Sequence, residues 1–429
     1  MNPLLAYYGD DLTGSTDVME ALEKRGVPTV LFTRLPESDV LARFSQAQAV
    51  GLAGTSRSET PDWMDRELPK IFEWLKSLGA ELNHYKVCST FDSSPELGSI
   101  GRALDLGSAV WGQASTPVVV GAPELRRWTA FGNLFAGFRG DNFRIDRHPV
   151  MSRHPVTPMG EADLRVHLSR QTKKEIGLID LVTLKGGISA REVEAVFEKL
   201  PAVLIDVLDG ETQAAAGRLL WERRERSPFV VGSSGVQYAL TAKGAGTPLE
   251  GRSRAFAPLG GCGRIAAVSG SCSPTTARQI ATAQAHGFEG VMLDAGLLAG
   301  GSGEEEARGL AAADKALDAG LSPLLYTALG AETAPGAGGQ GIGRALGRIL
   351  AALIARHGLS RAVVAGGDTS SHAIAELDVV ALECVFPLPN AAGSPLCRAH
   401  GPTGALGLEL GFKGGQVGDD DYFVLARDA

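Results

Sequence analysis

The sequence lacks several features that would place it in a common class. No run of apolar residues reaches the roughly 18 residues of a membrane span. The first residues, MNPLLAYYGDD, have neither a basic start nor a long apolar core, so we expect no signal peptide. The five cysteines are odd in number, scattered and without a CxxC pair. This usage favours reduced thiols and predicts a cytoplasmic protein that binds no membrane.

Charge and missing motifs exclude further classes. The formal net charge is −8, so we expect no broad basic surface and no nucleic acid partner. The chain has no GxxxxGK[ST] phosphate loop, no protein-kinase motif set and no HExxH motif. Asp146, His148 and His154 match no familiar zinc spacing, and we predict no metal site held by protein ligands alone.

What is present is a long alternation of apolar runs and helical patterns, typical of α/β folds. With 429 residues the chain is long enough for two domains. Between 243 and 263 the sequence KGAGTPLEGRSRAFAPLGGCG is rich in Gly, Pro and Ala and has no periodicity. We therefore predict two doubly wound α/β domains with a cleft between them. The predicted boundaries are residues 1–245, a linker at 246–262, and residues 263–429.

Two adjacent aspartates, Asp10 and Asp11, follow the first predicted strand, LLAYYG (4–9). One aspartate suffices to cap the helix that follows, and Thr13 or Ser15 could cap it as well. In doubly wound sheets ligands bind beyond the carboxyl ends of the strands. We therefore expect one carboxylate to have another role: taking a proton from a hydroxyl, holding magnesium, or accepting hydrogen bonds from sugar hydroxyls.

Two further polar stretches of the first domain are candidate substrate contacts. YKVCSTFDSSPELGSIG (85–101) combines a lysine, a cluster of hydroxyls and an aspartate, which suits a polyol or a carboxylate; the alternative is a Ser-rich turn. RIDRHPVMSRHPVTPM (144–159) contains Arg144, Arg147 and Arg153. A guanidinium can bind a substrate carboxylate in a bidentate fork, and the alternative here is a Pro-rich surface loop.

Three small polar loops follow apolar runs of the second domain: VSGSCSPTTARQI (268–280), VVAGGDTSSHAI (363–374) and GFKGGQVGDDDYF (411–423). Backbone N–H groups at such helix starts can hold a phosphate, and paired glycines let the backbone approach a ligand. Each loop alone is a weak signal, but three in one domain indicate a nucleotide site.

A fourth glycine pattern supports a different function. Gly336, Gly338 and Gly341 match the GxGxxG of dinucleotide-binding proteins. The match begins several residues after its strand, and no acidic residue ends the next strand where the ribose partner is expected. We interpret it as a flexible Gly-Ala loop. The alternative functions are an NAD-dependent dehydrogenase of a sugar acid and a non-catalytic sugar-acid-binding protein.

Taken together, the motifs resemble the four-carbon acid sugar kinase family. The opening DDLTG stands at 10–14, SGSCS at 269–273 is followed by Thr276 and Gln279, GGDT stands at 366–369, and FKGGQVG at 412–418 is similar to the late family motif. Their order and spacing agree over nearly the whole chain.

The resemblance implies an ATP-dependent phosphotransferase that acts on a hydroxyl of a small sugar acid, with Mg²⁺ accompanying ATP and a homodimer as a possible assembly. One of Asp10 and Asp11 would act as the base. The implied acid-sugar contacts in the N-terminal domain are Asp10, Asp11, Thr13, Lys86, Ser89, Thr90, Asp92, Arg144, Arg147 and Arg153. The implied nucleotide contacts in the C-terminal domain are Ser269, Ser271, Ser273, Gly366, Gly367, Asp368, Thr369, Lys413 and Gly414.

One departure from the family concerns substrate choice. Many members carry K.DST.RGN.G, whereas this chain has KVCSTFDSS from Lys86, and Ser93-Ser94-Pro95 replaces the usual arginine. STFDSSP together with DRHPVMSRHPVTPM resembles a subgroup that includes kinases of branched 3-oxo acids such as 3-oxo-isoapionate. The expected substrate is such an acid or one of the 3-oxo-tetronate, threonate and erythronate class. The three arginines at 144, 147 and 153 would then supply the carboxylate anchor.

Overall fold

The computed structural model describes residues 3–154, 156–186, 189–330 and 339–429. Strands and helices alternate along the first part of the chain, as predicted. Its strands are β1 (Leu5–Gly9), β2 (Thr29–Phe32), β3 (Ala49–Ala53), β4 (Leu82–Lys86), β5 (Thr116–Val119), β6 (Arg127–Ala130), β7 (Asn133–Phe138), β8 (Asp141–Arg144), β9 (Ile176–Ile179), β10 (Ala202–Ile205) and β11 (Phe229–Gly232). Its helices are α1 (Leu12–Lys24), α2 (Ser38–Ala42), α3 (Pro61–Ser77), α4 (Ile100–Trp111), α5 (Leu164–Ser169), α6 (Leu181–Lys185), α7 (Ala190–Lys199), α8 (Gly210–Glu222) and α9 (Gly235–Thr241).

The alternation resumes in the second part of the chain. Its strands are β12 (Ala266–Ser269), β13 (Phe288–Met292), β14 (Ser322–Tyr326), β15 (Arg361–Ala365), β16 (Ala381–Phe386), β17 (Leu396–Gly401) and β18 (Gly404–Lys413). Its helices are α10 (Pro274–Ala285), α11 (Ala295–Ala299), α12 (Gly303–Asp318), α13 (Gly339–His357), α14 (Gly367–Ala373) and α15 (Tyr422–Asp428). None of the described helices combines the length and the apolar character needed to cross a membrane.

The chain divides into two compact units that do not follow a single cut in the sequence. The first unit contains Met1–Asp10, Ala21–Thr29 and Ser45–Arg254, and the second contains Asp11–Glu20, Val30–Phe44 and Ala255–Ala429. All residues between Thr241 and Ala266 are described, and none of them belongs to a helix or strand. Two α/β units are therefore confirmed, while the predicted boundaries at 245 and 263 and the cleft stay predictions.

The core of the first unit is a parallel sheet in the order β3-β1-β4-β11-β5-β10-β9. Its strands are short apolar runs, and all five residues of β1 are buried, as expected for parallel strands covered on both faces. Tyr7 of β1 lies opposite Gly51 of β3, where a Cβ would come within 2.2 Å of the tyrosine ring. This register places the ends of all seven strands at one edge of the sheet.

The first unit also contains a small antiparallel sheet that we did not predict, in the order β6-β7-β8. Arg127 of β6 lies opposite Ala136, and Phe135 lies opposite Arg144. β6 and β7 are half-buried and β8 is largely exposed, and all three contain arginine, asparagine or glycine between the apolar residues, so they lack the continuous apolar signal of the parallel strands.

The second unit holds the order β13-β14-β12-β15-β18-β17-β16-β2. The first five strands are parallel and the last three pair antiparallel, with Leu31 of β2 opposite Leu382 of β16. The core beside the parallel strands includes Ile265, Phe288, Leu324 and Tyr422. The mostly parallel sheet is as predicted, but the antiparallel strands after Ala381 were missed.

Two local sequence patterns are not followed in full. The apolar run IGLIDLVTL at 176–184 predicts one strand. The strand ends at Ile179, because the Asp180 carboxylate accepts the Thr183 N–H (2.8 Å) and caps α6. Of the GxGxxG pattern, Gly341 lies in α13, while Gly336 and Gly338 fall outside the described residues.

Candidate functional site

The three predicted nucleotide loops leave neighbouring strands at the same edge of the second unit's sheet. β15 lies between β12 and β18, and Ser269, Ala365 and Lys413 are in register at the strand ends. Beyond them, Gly270 N–H donates to Ala365 (3.2 Å) and Gly366 N–H donates to the Lys413 carbonyl (2.8 Å). Ser269 and Lys413, which are 144 positions apart in the sequence, therefore end two strands at the same edge.

The glycines of these loops have different tasks. Gly366 has a φ of +116°, and a Cβ there would lie 2.8 Å from Thr369 Oγ1. A Cβ on Gly270 would lie 2.4 Å from the same oxygen. A Cβ on Gly367 would meet nothing nearer than Thr13 Oγ1 at 3.7 Å. Gly270 and Gly366 are thus required by packing within the protein, whereas Gly367 is not.

Lys413 lies beneath the loops and is fully buried. Its Nζ donates to Thr276 Oγ1 (3.0 Å) and to the carbonyl of Gly414 (2.9 Å). Burial lowers the pKa of Lys413 to about 7. The lysine expected to contact the nucleotide therefore holds the loop that begins at Gly414.

Helix α10 also forms hydrogen bonds with the loop that begins at Gly414. Its N-terminus is capped by Ser273, whose Oγ accepts the Thr275 N–H (3.2 Å). Thr276 Oγ1 donates to the Gly415 carbonyl (3.0 Å), and Gln279 Nε2 contacts the carbonyls of Val417, Gly418 and Asp419 at 2.9–3.0 Å. The Thr and Gln of the family motif thus shape a loop, a role that only the tertiary contacts reveal.

Ser269 and Ser271 are buried, and Ser271 Oγ accepts the Ser273 N–H (3.2 Å). Thr369 is buried beside them, whereas the Asp368 side chain is exposed at the start of α14. The second unit therefore brings together the segments that carry all nine implied nucleotide contacts.

The acidic pair is divided between the two units. Asp11 belongs to the second unit, where its Oδ1 accepts the Gly14 N–H (2.5 Å) at the start of α1. The N–H of Leu12, the residue after Asp11, donates to the Oγ of Ser371, which lies just beyond the GGDT segment (3.3 Å). Asp11 thus acts as a helix cap, and it lies with Thr13 beside the nucleotide loops of that unit.

Asp10 belongs to the first unit and is buried at the end of β1. Its N–H donates to the Lys86 carbonyl (2.9 Å), and its own carbonyl accepts the Arg57 N–H (3.1 Å). Burial raises the pKa of Tyr8 to about 12, and the charge of Asp10 contributes to that increase. Asp10 therefore occupies the strand-end position that the sequence predicted, next to the buried Lys86.

Asp92 is the centre of the polar network after β4. Both of its oxygens contact Arg57 Nη2 (2.8 and 3.1 Å), and it also accepts from Thr90 Oγ1 (2.5 Å) and Thr157 Oγ1 (2.9 Å). Burial alone would raise the pKa of Asp92. The pKa is nevertheless held below its usual value by the charge of Arg57, the Thr90 hydroxyl, His154 and the Thr157 hydroxyl. Asp92 thus organises the loop, with half-buried Ser89 beside it.

Sequence reasoning missed Arg57, although its position in the turn Ser56–Ser58 directly after β3 was a usable signal. It also missed the cluster of Ser93, His167 and Gln171, in which Ser93 Oγ lies 2.9 Å from both His167 Nε2 and Gln171 Nε2. Burial lowers the pKa of His167 to about 4, so the ring is neutral. This cluster includes Ser93, one of the residues that replace the usual family arginine.

The three predicted anchor arginines lie on the surface of the first unit. Arg144 forms a two-point contact with Asp146, with Nε and Nη2 at 2.7 and 2.5 Å from its oxygens. Arg147 and Arg153 end short 3₁₀ turns and are exposed. No hydrogen bond among the described residues joins any of the three to the loop after β4.

Fold and site together define a two-domain protein with a nucleotide-type unit and a polyol-type or acid-type unit. Comparison with protein families agrees: residues 5–240 match a sugar-binding N-terminal domain, and residues 266–423 match a nucleotide-binding C-terminal domain. The chain therefore belongs to the family that these two domains define, and the predicted likeness to the four-carbon acid sugar kinases is confirmed.

Individual relatives span the whole chain. A 3-oxo-isoapionate kinase of Paraburkholderia graminis is 47% identical and covers 99% of this chain and 94% of its own. A 3-oxo-tetronate kinase of Methylobacterium radiotolerans is 34% identical, covering 100% and 99%. The crystal structure of a Salmonella typhimurium protein described as a tRNA synthase superposes with a TM-score of 0.76 at 26% identity, over 99% and 98% of the two chains.

Proposed function

We propose that this protein is an ATP-dependent kinase that phosphorylates a hydroxyl of a 3-oxo sugar acid, with 3-oxo-isoapionate as the first candidate and 3-oxo-tetronate as the second. The observation that carries the proposal is the convergence of three glycine-containing loops, which leave strand ends in register at one sheet edge. The order of the two acids follows from the relatives, which are 47% and 34% identical.

In the proposed reaction a substrate hydroxyl attacks the γ-phosphorus of ATP, a new P–O bond forms, and the bond to ADP breaks. The hydroxyl proton passes to a carboxylate, which is Asp10 or Asp11 in this proposal. Such a transfer needs mainly positioning and neutralisation of charge, which backbone N–H groups can supply. The acid is bound by the first unit, through the segment that contains Lys86, Ser89 and Thr90.

The nucleotide phosphates lie against the backbone of 269–273 and 366–369 in this proposal, with the loop from Gly414 held in shape by Lys413. Among the described residues, no group of three or more His, Cys, Asp or Glu side chains could hold a metal ion. Mg²⁺ usually binds through substrate phosphates and one or two protein carboxylates, so it does not need such a group. The exposed carboxylate of Asp368 is the residue that would hold it, and bound Mg²⁺ would neutralise phosphate charge.

The test is ADP release from ATP and Mg²⁺ with a panel of acids: 3-oxo-isoapionate, 3-oxo-tetronate, D-threonate and D-erythronate. We expect selective turnover of one 3-oxo acid, with 3-oxo-isoapionate preferred. Turnover of the straight-chain acids at the same rate would refute the proposed preference for the branched acid. ATP binding without turnover of any acid would refute the kinase proposal, and reduction of NAD by one of the acids would favour the dehydrogenase. A cytoplasmic location and a homodimer stay predictions.

A further inference from the structure

Arg127 lies at the start of β6, immediately beyond the parallel sheet of the first unit. Its backbone exchanges two hydrogen bonds with Ala122 (2.9 and 3.1 Å), which follows β5 by three residues. Arg127 is half-buried as a residue, and its Nε is shielded from solvent. A guanidinium in such a place is costly unless an anion or several acceptors balance its charge.

The balance within the protein is incomplete. Arg127 Nη1 donates to the carbonyls of Leu125 (3.1 Å) and Arg126 (3.0 Å). Its Nε has no hydrogen-bond partner among the residues that the structure describes. No carboxylate in the described part of the chain forms an ion pair with it. Burial lowers the pKa of Arg127, and the adjacent Arg126 adds to this effect.

Other arginines of this chain show how the edge of a guanidinium that carries Nε and Nη2 binds a carboxylate. Arg102, Arg144 and Arg165 each place Nε and Nη2 on the two oxygens of an aspartate, at 2.5–3.0 Å. This side-on fork is the geometry in which a guanidinium recognises a carboxylate. In Arg127 the chain's own carbonyls engage Nη1, which leaves the Nε and Nη2 side for a carboxylate from another molecule.

The strand ends connect Arg127 to the proposed sugar-acid loop. β11 lies between β4 and β5. Val87 N–H, directly before Cys88, donates to Gly232 of β11 (2.8 Å), and Ser233 N–H donates to Val119 of β5 (3.0 Å). A Cβ on Gly235 would lie 2.2 Å from the Gly121 carbonyl oxygen, one residue before Ala122. The segments after β4, β11 and β5 are thus packed in contact with one another.

Two further observations mark this edge as a polar recognition site. Ser234, which follows β11, is fully buried, and its Oγ has no hydrogen-bond partner among the described residues. Cys88, in the loop after β4, lies near enough to Arg127 that a thiolate there would raise the pKa of the guanidinium. The Ser234 hydroxyl and the Nε of Arg127, which both lack a hydrogen-bond partner among the described residues, therefore lie in the segments that follow the adjacent strands β11 and β5.

We propose that Arg127 binds the carboxylate of the sugar acid through Nε and Nη2 once a rotation of its side chain exposes Nε, with Ser234 Oγ as an additional hydrogen-bonding group. This assignment rests on the proposed function, because it takes a sugar acid as the substrate. It replaces Arg144, Arg147 and Arg153 as the carboxylate anchor: Arg144 already pairs with Asp146, and the other two are exposed. The carboxylate is bound but not transformed.

The experiment compares Arg127→Gln and Arg127→Lys with the matched control Arg126→Gln. Arg126 is adjacent and exposed, and its Nη2 contacts acceptors of the β7–β8 turn (2.9–3.1 Å). Steady-state kinetics give KM for 3-oxo-isoapionate and for ATP separately. We expect Arg127→Gln to raise KM for the acid by about 30-fold or more, as for a buried charged partner. Arg127→Lys, which keeps the charge and loses the fork, should raise it about tenfold, and KM for ATP should not change.

A second readout uses the neutral amide of the same acid as a competing ligand. The wild-type protein should bind the acid much more tightly than the amide, and Arg127→Gln should lose this preference, which a purely structural role would not change. An unaltered acid KM in both Arg127 variants, or loss of the preference in Arg147→Gln or Arg153→Gln instead, would overturn the assignment while the kinase function stands. If the wild-type protein turned over no acid, the proposed function would fail and the assignment with it.

Discussion

The clearest test of the nucleotide site is a comparison of two neighbouring glycines, Gly366 and Gly367. Gly366 has a φ of +116°, and its Cβ would lie 2.8 Å from Thr369 Oγ1. Gly367 begins α14, and its Cβ would have 3.7 Å to its nearest neighbour, Thr13 Oγ1. Alanine at Gly366 therefore disturbs the protein itself, whereas alanine at Gly367 disturbs only a molecule that approaches the backbone.

The expected magnitudes follow from these distances. Gly366→Ala should lower the free energy of unfolding by about 2 to 4 kcal/mol, from a strained φ and an overlap with Thr369. Gly367→Ala should change it by no more than about 1 kcal/mol, since alanine is tolerated at a helix start. If a phosphate lies against this backbone, the added methyl group should weaken ATP binding by about 1 to 3 kcal/mol, roughly 5- to 150-fold.

Calorimetry measures both quantities, by titration with ATP in the absence of acid and by thermal unfolding. It is preferable to intrinsic fluorescence because all five tryptophans lie between residues 63 and 221, in the first unit. The matched control is Gly303→Ala, at the first residue of α12, where a Cβ would meet nothing within 4 Å. Wild-type ATP affinity in Gly367→Ala would remove the GGDT segment from the phosphate site and refute the reasoning.

Two other predictions concern the acidic pair and the buried lysine. Asp10→Asn and Asp11→Asn keep the shape of the side chain, and Asn can also cap α1. The variant that lacks the base should therefore lose turnover yet bind ATP normally. Undiminished turnover in both variants would exclude the pair from the mechanism. Lys413 has a folded pKa of about 7, below its ordinary 10.5. The unfolded state thus binds more protons between these values, and stability relative to Lys413→Met should rise with pH there, by about 2 to 3 kcal/mol from pH 7 to 9. Calorimetry at both pH values checks this, and a constant difference would contradict it.

Much of the fold could be predicted because parallel strands produce a strong local signal. Each is a short, continuous apolar run followed by small polar residues. The predicted strand at 4–9 was found as β1, and the apolar runs that lead into SGSCS and GGDT were found as β12 and β15. The antiparallel strands β6–β8 and β16–β18 were missed. Their residues are less apolar, and long-range partners rather than local pattern stabilise them.

The candidate site divides in the same way. The nucleotide loops could be found from sequence because a phosphate site needs glycine, serine and a helix start close together in the chain. The roles of Lys413, Thr276 and Gln279 could not, since each depends on contacts with residues about 140 positions away or on burial. Nor could sequence separate Arg127 from the other arginines, because a guanidinium is defined as an anchor by what surrounds it.

The class of fold, the order of the motifs and the family resemblance can be read from the amino-acid sequence, since these depend on residue types at short spacing. Which side chains share a sheet edge, and which already have hydrogen-bond partners, depends on the folded chain. The tertiary structure assigned Asp11 to a helix cap in one unit and Asp10 to a strand end in the other. It also engaged Arg144 with Asp146 while leaving the Nε side of Arg127 without a partner among the described residues. Hydrogen bonding and burial are properties of neighbours in space, and distant parts of the chain supply those neighbours.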